Sequence, residues 1–338
     1  MQKLLSISIA AYNVEETLRQ TLESLIKSKY IDLLDILIIN DGSTDNTLTL
    51  ASKYYLRFPN SITVVDKENG GHGSTINVGI RRARGKYFTL LDGDDWYDTS
   101  ELDKLVDYLR GCDSSMIVSN FTLVHDADNR KEKKLFSFIE PFCEYSFDNL
   151  PMTDTMGLSA ITIKTEILQK NGILIDERCF YVDMEYILYP IPYIDNVVFT
   201  SYNVYQYRVG QTNQSVSTKS LIRNEKQHER VCSALLNFIE SYKEGEMYEE
   251  KKCLYISKVA STVFLTEIKV IIFCNDDYDS SKVRIKTFVH TIKEKAPEAL
   301  EYMKKKCLWF SLILKSNFKL YRLVYFLIRK RNNIKNEK

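Results

Sequence analysis

Leu90-Leu91-Asp92-Gly93-Asp94-Asp95-Trp96 is an apolar run that ends in three carboxylates and a tryptophan. Acids this close repel one another and do not ionise together without help. A hard divalent cation is the simplest help, because Mg²⁺ is typically held by one or two carboxylates together with substrate phosphates. The stretch therefore reads as a buried strand ending in a metal–diphosphate site. A solvated acidic turn is the blander reading, since Asp98 to Ser100 look like helix-start residues. The residues on either side decide between the two.

Around this stretch the first 120 residues alternate strand and helix patterns. Residues 4–10, 35–40, 61–66, 86–92 and 115–120 read as apolar strands, and 14–27, 44–57, 75–84 and 100–110 as helices. Buried strands separated by helices predict an α/β fold, a mostly parallel sheet with helices on both faces. Ligands bind such sheets at the strands' C-terminal ends. The polar clusters fall there: Tyr12 and Asn13 after the first strand, Asp41 after the second, Asp92 to Asp95 after the fourth. The charge run 126–134 reads as a solvated loop or hairpin tip. Past Ser220 the pattern changes to long helical stretches almost free of Gly and Pro.

The chain has 338 residues, 44% of them hydrophobic, enough for a large core and two domains. Its net charge of +1 is unevenly spread. Residues 304–338 hold eleven Lys or Arg against Glu337 alone, so residues 1–303 sum to −9. A basic tail on an acidic body predicts an anionic partner for the tail. Seven scattered cysteines without a C-x-x-C pair argue against a disulfide framework or structural zinc and fit a reducing cytoplasm. The first residues form too short an apolar run for a signal peptide. No uncharged run approaches the roughly 18–20 residues of a membrane span.

Three further segments carry candidate chemistry. Asp41, in Asn40-Asp41-Gly42-Ser43-Thr44-Asp45, can accept hydrogen bonds from a base or ribose, or simply form a turn and helix cap. Asn69-Gly70-Gly71-His72-Gly73-Ser74 opens a helix, and glycines there let backbone N–H groups approach a phosphate. It is neither a P-loop nor a dinucleotide fingerprint, and a plain Gly-rich turn explains it equally. His72 is either a phosphate or acceptor contact or a structural residue. Asp183, flanked by Tyr181, Val182 and Met184, reads as a buried or half-buried helix start. Burial would make it a better proton acceptor, although a helix cap accounts for it too.

The order of these segments resembles the family-2 inverting glycosyltransferases of the GT-A fold. The resemblance runs from Ser8-Ile9-Ala10-Ala11-Tyr12-Asn13 with Glu15, through the Asp41 segment, Asn69-Gly70-Gly71, Asn77-Val78-Gly79 and Leu91 to Trp96. It continues through Val182-Asp183-Met184-Glu185-Tyr186 to Tyr205-Gln206-Tyr207-Arg208 and Gln214-Ser215-Val216-Ser217. It implies a catalytic domain over residues 1–217 and a helical domain over 218–338. It further implies that Asp183 is the general base and Asp94, with Asp92, holds Mn²⁺ or Mg²⁺, Asp95 being a further metal contact or an orienting acid. Ala10, Tyr12, Asn13, Glu15, Asp41, Gly71, Asn77, Asp92 and Gly93 would bind the nucleotide, and Arg208 and Ser215 the diphosphate. Ile76 departs from the Arg common before Asn77, and Val182 from the Glu common before the base. No Q-x-x-R-W motif follows, so a single addition is expected rather than a processive polymerase.

The expected reaction is metal-dependent inverting transfer of one sugar from a nucleotide sugar, UDP-linked, to a glycan or lipid-linked acceptor in capsule or cell-wall polysaccharide synthesis. A sugar-1-phosphate nucleotidyltransferase usually carries a basic Gly-rich loop where Ala10-Ala11-Tyr12-Asn13 stands. A non-catalytic partner subunit would not need Asp41, Asp92, Asp94 and Asp183. Over residues 310–330, Phe310, Ile313, Leu314, Tyr321, Val324, Leu327 and Ile328 recur at helical spacing, with Lys315, Lys319, Arg322, Arg329 and Lys330 on another side. This basic amphipathic helix predicts peripheral contact of 304–338 with the inner face of the plasma membrane. A helix packed on the protein with a solvated basic face is the other reading. Nucleic acid is a poor partner for an acidic body without a recognition module.

Overall fold

The computed structural model describes residues 2–151, 156–210, 217–275 and 277–332 and divides the chain into two compact units, Met1–Thr212 and Asn213–Lys338. The first is an α/β unit. Its strands are β1 (Leu5–Ala11), β2 (Leu34–Asp41), β3 (Ile62–Lys67), β4 (Tyr87–Asp92), β5 (Trp96–Tyr97), β6 (Met116–His125), β7 (Lys131–Lys134), β8 (Glu144–Tyr145), β9 (Ile161–Lys164) and β10 (Val197–Val209). Its helices are α1 (Leu18–Ile26), α2 (Thr47–Arg57), α3 (His72–Arg82), α4 (Thr99–Gly111), α5 (Thr165–Lys170) and α6 (Asp183–Leu188).

The sheet order is β3-β2-β1-β4-β9-β6-β10-β5, with β7 on β6 and β8 on β10. β3, β2, β1 and β4 are parallel, as the alternation predicted, and β6 pairs parallel with β10. β9 is inserted antiparallel between β4 and β6, so the sheet is mixed. The charge run is a hairpin: β7 returns antiparallel along β6.

Two residue patterns on β1 set the layers. Leu5, Ile7 and Ile9 join Leu18 and Leu22 of α1 and Leu102 and Leu105 of α4 in one buried core. The alternate residues Ser6 and Ser8 are small and let α3 lie close on the opposite face. A Cβ on Gly79 would fall 2.1 Å from Ser8 Oγ, which only glycine avoids. Just past the end of α3, Arg84 binds the buried Asp35 carboxylate through Nε at 3.0 Å, and Ser6 Oγ donates to the same acid at 2.7 Å. This pins α3 so that its first turn reaches the C-terminal ends of the strands.

The second unit is helical: α7 (Thr218–Arg223), α8 (Glu225–Glu244), α9 (Glu250–Cys274), α10 (Tyr278–Lys295), α11 (Pro297–Lys306), α12 (Leu308–Lys315) and α13 (Tyr321–Arg331). α9 is apolar nearly all round and packs against α8, α10, α11 and α13. Its buried Glu267 binds His228 of α8 at 2.6 Å. The single amphipathic helix expected over 310–330 is two helices, broken where Asn317 and Phe318 take positive φ. Phe310, Ile313, Tyr321 and Val324 are core residues of this unit. Arg329, expected on a solvated face, is buried and donates to the carbonyls of Ile272, Phe273 and Asn275 at the end of α9. A cation there also complements the helix dipole. Among the described residues no helix is long and apolar enough to cross a membrane.

Candidate active site

β4 ends at Asp92, and the chain there turns tightly against β1. Gly93 N–H donates to the Ala10 carbonyl at 3.0 Å, and a Cβ on Gly93 would lie 2.8 Å from that oxygen. The turn leaves Asp92 and Asp94 half-buried and carries Asp95 inward, where it is 1% exposed. The carboxylates of all three come within 4.8 Å of one another. Asp95 Oδ2 accepts from the Tyr205 hydroxyl and Oδ1 from the Arg208 N–H, both at 2.7 Å. The Tyr205 oxygen accepts the Asp92 N–H at 3.2 Å. Asp95 thereby ties the acid turn to β10.

Burial and mutual repulsion dominate the electrostatics of the acids, with His72 and Arg208 opposing them. Burial, then the charges of Asp92 and Asp94, push the Asp95 carboxyl up to about 9. Burial raises Asp92 to about 6 against the opposing charge of His72, with Asp94 and Asp183 adding to the rise. Burial also raises Asp94. Hard oxygen donors crowded in this way are a donor set that suits Mg²⁺ or Mn²⁺. Asp95 is buried and held by the chain on both oxygens, whereas the half-buried Asp92 and Asp94 are the acids that could reach an ion.

His72 joins this cluster to Asp183. It occupies the first turn of α3, three residues before the expected helix start. Nδ1 lies 3.0 Å from Asp183 Oδ1 and Nε2 3.5 Å from Asp92 Oδ1. Burial opposes its charge, but the hydrogen bond to Asp183 and the charges of Asp183, Asp92 and Asp41 raise it to about 9. The carboxylates on either side of the ring thus favour its protonated form. Asp183 stands at the first residue of α6 with its side chain 45% exposed.

The remaining expected residues sort into rim and scaffold. Tyr12 is 51% exposed at the end of β1. Asp41 is buried: Oδ1 accepts from Lys67 Nζ at 2.6 Å and Gly70 N–H at 2.9 Å, and Oδ2 from Gly71 N–H at 2.8 Å. The acid thus shapes the Gly loop, where Gly71 sits at φ +79°. Asn13 and Glu15 turn toward the loop after β2. Asn13 Oδ1 accepts from Thr44 N–H and Glu15 Oε2 from Asn46 N–H, each at 2.8 Å. Asn77 is buried one layer below, donating to the Ile175 carbonyl at 2.8 Å and accepting its N–H at 2.9 Å.

Arg208, expected at a diphosphate, lies over the Trp96 ring at 4.9 Å. It donates to the Asp94 carbonyl at 2.9 Å, to Asp126 at 2.8 Å and to Gln20 at 2.7 Å. It clamps β10 to the acid turn and to α1. Ser215 lies outside the described residues. Tyr205, Gln20 and Asp126 were not expected in the site. Only Tyr205 had a signal, its place in the Tyr205-Gln206-Tyr207-Arg208 motif.

Residues 6–165 match the model of glycosyl transferase family 2. An uncharacterized glycosyltransferase of Rickettsia typhi is 30% identical over 185 residues, 53% of this chain and 55% of its own length. The chain thus spans about half the length of that relative, and 25% of a similar one from Rickettsia bellii. Among solved structures, Staphylococcus aureus TarS superposes with TM-score 0.62 at 17% identity, over 89% of this chain and 54% of TarS. The mannosyltransferase PcManGT of Pyrobaculum calidifontis, solved with GDP-Man and Mn²⁺, superposes with TM-score 0.52 at 13% identity, over 100% of this chain and 89% of PcManGT. This chain carries, in residues 6–165, a domain of glycosyl transferase family 2 built on the GT-A fold.

Proposed function

We propose that the chain transfers a single sugar from a nucleotide sugar to a hydroxyl of a glycan or lipid-linked acceptor, with inversion at the anomeric carbon. The observation that carries this reading is the His72 bridge, which sets Asp183 beside the Asp92–Asp94 cluster. A solved complex of the TarS residue 1–349 fragment with UDP-GlcNAc, TM-score 0.54 at 16% identity, supports a UDP-linked donor.

Asp92 and Asp94 would hold a divalent cation, which would offset charge on the departing diphosphate. The exposed Tyr12 ring stacks on the base, and Asp41 accepts from it; a carboxylate has lone pairs to spare beyond those the Gly loop uses. Asp183 takes the proton from the acceptor hydroxyl as its oxygen attacks. His72 holds the Asp183 carboxylate in place for that step. Asp95, Tyr205 and Arg208 keep the acid turn rigid, and positioning of this kind is where much of an enzyme's rate advantage arises.

Release of the nucleoside diphosphate, UDP or GDP, from a panel of UDP- and GDP-sugars, with Mn²⁺ or Mg²⁺ and with or without acceptor, tests the reading. Release by the wild-type chain that is lost in Asp94→Ala supports it. No release from any sugar nucleotide would instead fit a non-catalytic partner subunit.

A further inference from the structure

The outward face of α13 suits neither a core nor a water-facing helix. Its inward residues Tyr321, Val324 and Tyr325 are buried. On the other side Leu323, Phe326 and Leu327 are 60%, 44% and 56% exposed, set among the exposed cations Arg322, Lys330 and Arg331. α12 repeats the pattern: Leu308 and Leu312, one helical turn apart, are 76% and 43% exposed, with Lys315 exposed beside them. Between Tyr302 and Asn332 the sequence contains no acid at all. An exposed leucine is ordinary on its own. A run of large apolar residues on consecutive helices, interleaved only with positive charge, marks an interaction surface.

We propose that this face docks on an anionic lipid surface, its leucines and phenylalanine entering the acyl boundary and its cations meeting the phosphates. Charge complementarity selects that occupant, because each Lys or Arg near a negatively charged leaflet adds attraction. The helices also have the form of an interfacial anchor, packed on one side and apolar-basic on the other. They hold 8 and 11 residues, so the contact lies in the interface plane rather than across the bilayer. A second copy of the chain is a poorer occupant, since two such faces carry the same charge. The inference does not rest on the transferase reading, as vesicle binding needs neither sugar nucleotide nor acceptor.

The test is cosedimentation of the full chain with vesicles of phosphatidylcholine alone and of phosphatidylcholine mixed with phosphatidylglycerol. The wild-type chain partitions onto the mixed vesicles about tenfold more strongly, and added salt weakens the binding. Combined Leu323→Ser, Phe326→Ser and Leu327→Ser lowers that partition about tenfold with an unchanged circular-dichroism spectrum. Combined Arg322→Ser, Lys330→Ser and Arg331→Ser removes the preference for the anionic vesicles and keeps the proposal testable if the apolar variant misfolds. Equal partition onto both vesicle types, or equal partition of wild-type and variant chains, overturns the proposal. So does a lipid-free dimer, seen by light scattering, that the apolar variant abolishes.

Discussion

His72 Nδ1 stands 3.0 Å from Asp183 Oδ1, joining the first turn of α3 to the first turn of α6. If Asp183 is the general base, its removal and the removal of its holder differ in size. Asp183→Asn lowers kcat by about 10²–10⁴-fold, the range of general-base help, and leaves nucleotide affinity unchanged. His72→Ala lowers kcat by less, and His72→Gln, which keeps a donor, restores part of the loss. Steady-state UDP release together with calorimetric binding of UDP separates these outcomes; full turnover in Asp183→Asn would refute the assignment.

The acid cluster predicts opposite effects of one substitution on stability and on metal binding. Asp92 and Asp94 are both raised by burial, and Asp94 contributes to the rise at Asp92. Asp94→Asn relieves that repulsion, so the metal-free variant melts at or above the wild-type temperature. Mn²⁺ at about 100 times its Kd stabilises the wild-type chain by about 2.7 kcal/mol. The variant loses most of that shift. Thermal melts with and without Mn²⁺ check both halves.

Asp98 gives a pH dependence unrelated to the site. Burial pulls its carboxyl upward, but hydrogen bonds from Ser100 and Glu101 at the start of α4 hold it below the ordinary value. A depressed folded pKa stabilises fully above the unfolded pKa of about 3.9 and is lost as pH falls through the folded value. Asp98→Ala therefore destabilises by about 1 kcal/mol at neutral pH. In urea unfolding the difference between the two chains should shrink as pH falls into the acid range.

Asn77 predicts a stability effect where a nucleotide contact was expected. Asn77→Leu leaves the Ile175 N–H and carbonyl without their partner, each unmet group being worth about 1–3 kcal/mol. Urea midpoints should fall accordingly, and UDP affinity measured on the folded fraction should stay close to wild type.

Much of this architecture was legible. β1 to β4 were readable because each is an apolar-rich run set between helix patterns, and the Asp92 to Asp95 turn because acids rarely crowd without cause. The antiparallel β9 was not, since direction depends on pairing rather than on composition. α3 was read from Thr75 because Gly71 and Gly73 look like helix breakers. Gly73 lies inside the helix, where a Cβ would meet the Asp176 carbonyl at 2.0 Å, a reason visible only in three dimensions. That late start left His72 in a loop rather than in the first turn of α3, where it faces Asp183. The partners of Arg208, Gln20 and Asp126, lie 188 and 82 residues away in sequence, and no local pattern announces them.

Asp94 and Asp95 are neighbours in sequence, yet they fail in different ways. A mutant library sorted by soluble yield would discard Asp95 variants, whose loss strands the Arg208 N–H and the Tyr205 hydroxyl. The same sort would keep Asp94 variants, which fold and, if Asp94 holds the cation, turn over no sugar nucleotide. Only a second sort by turnover would find them, so abundance alone would report the acid turn as half as important as it is.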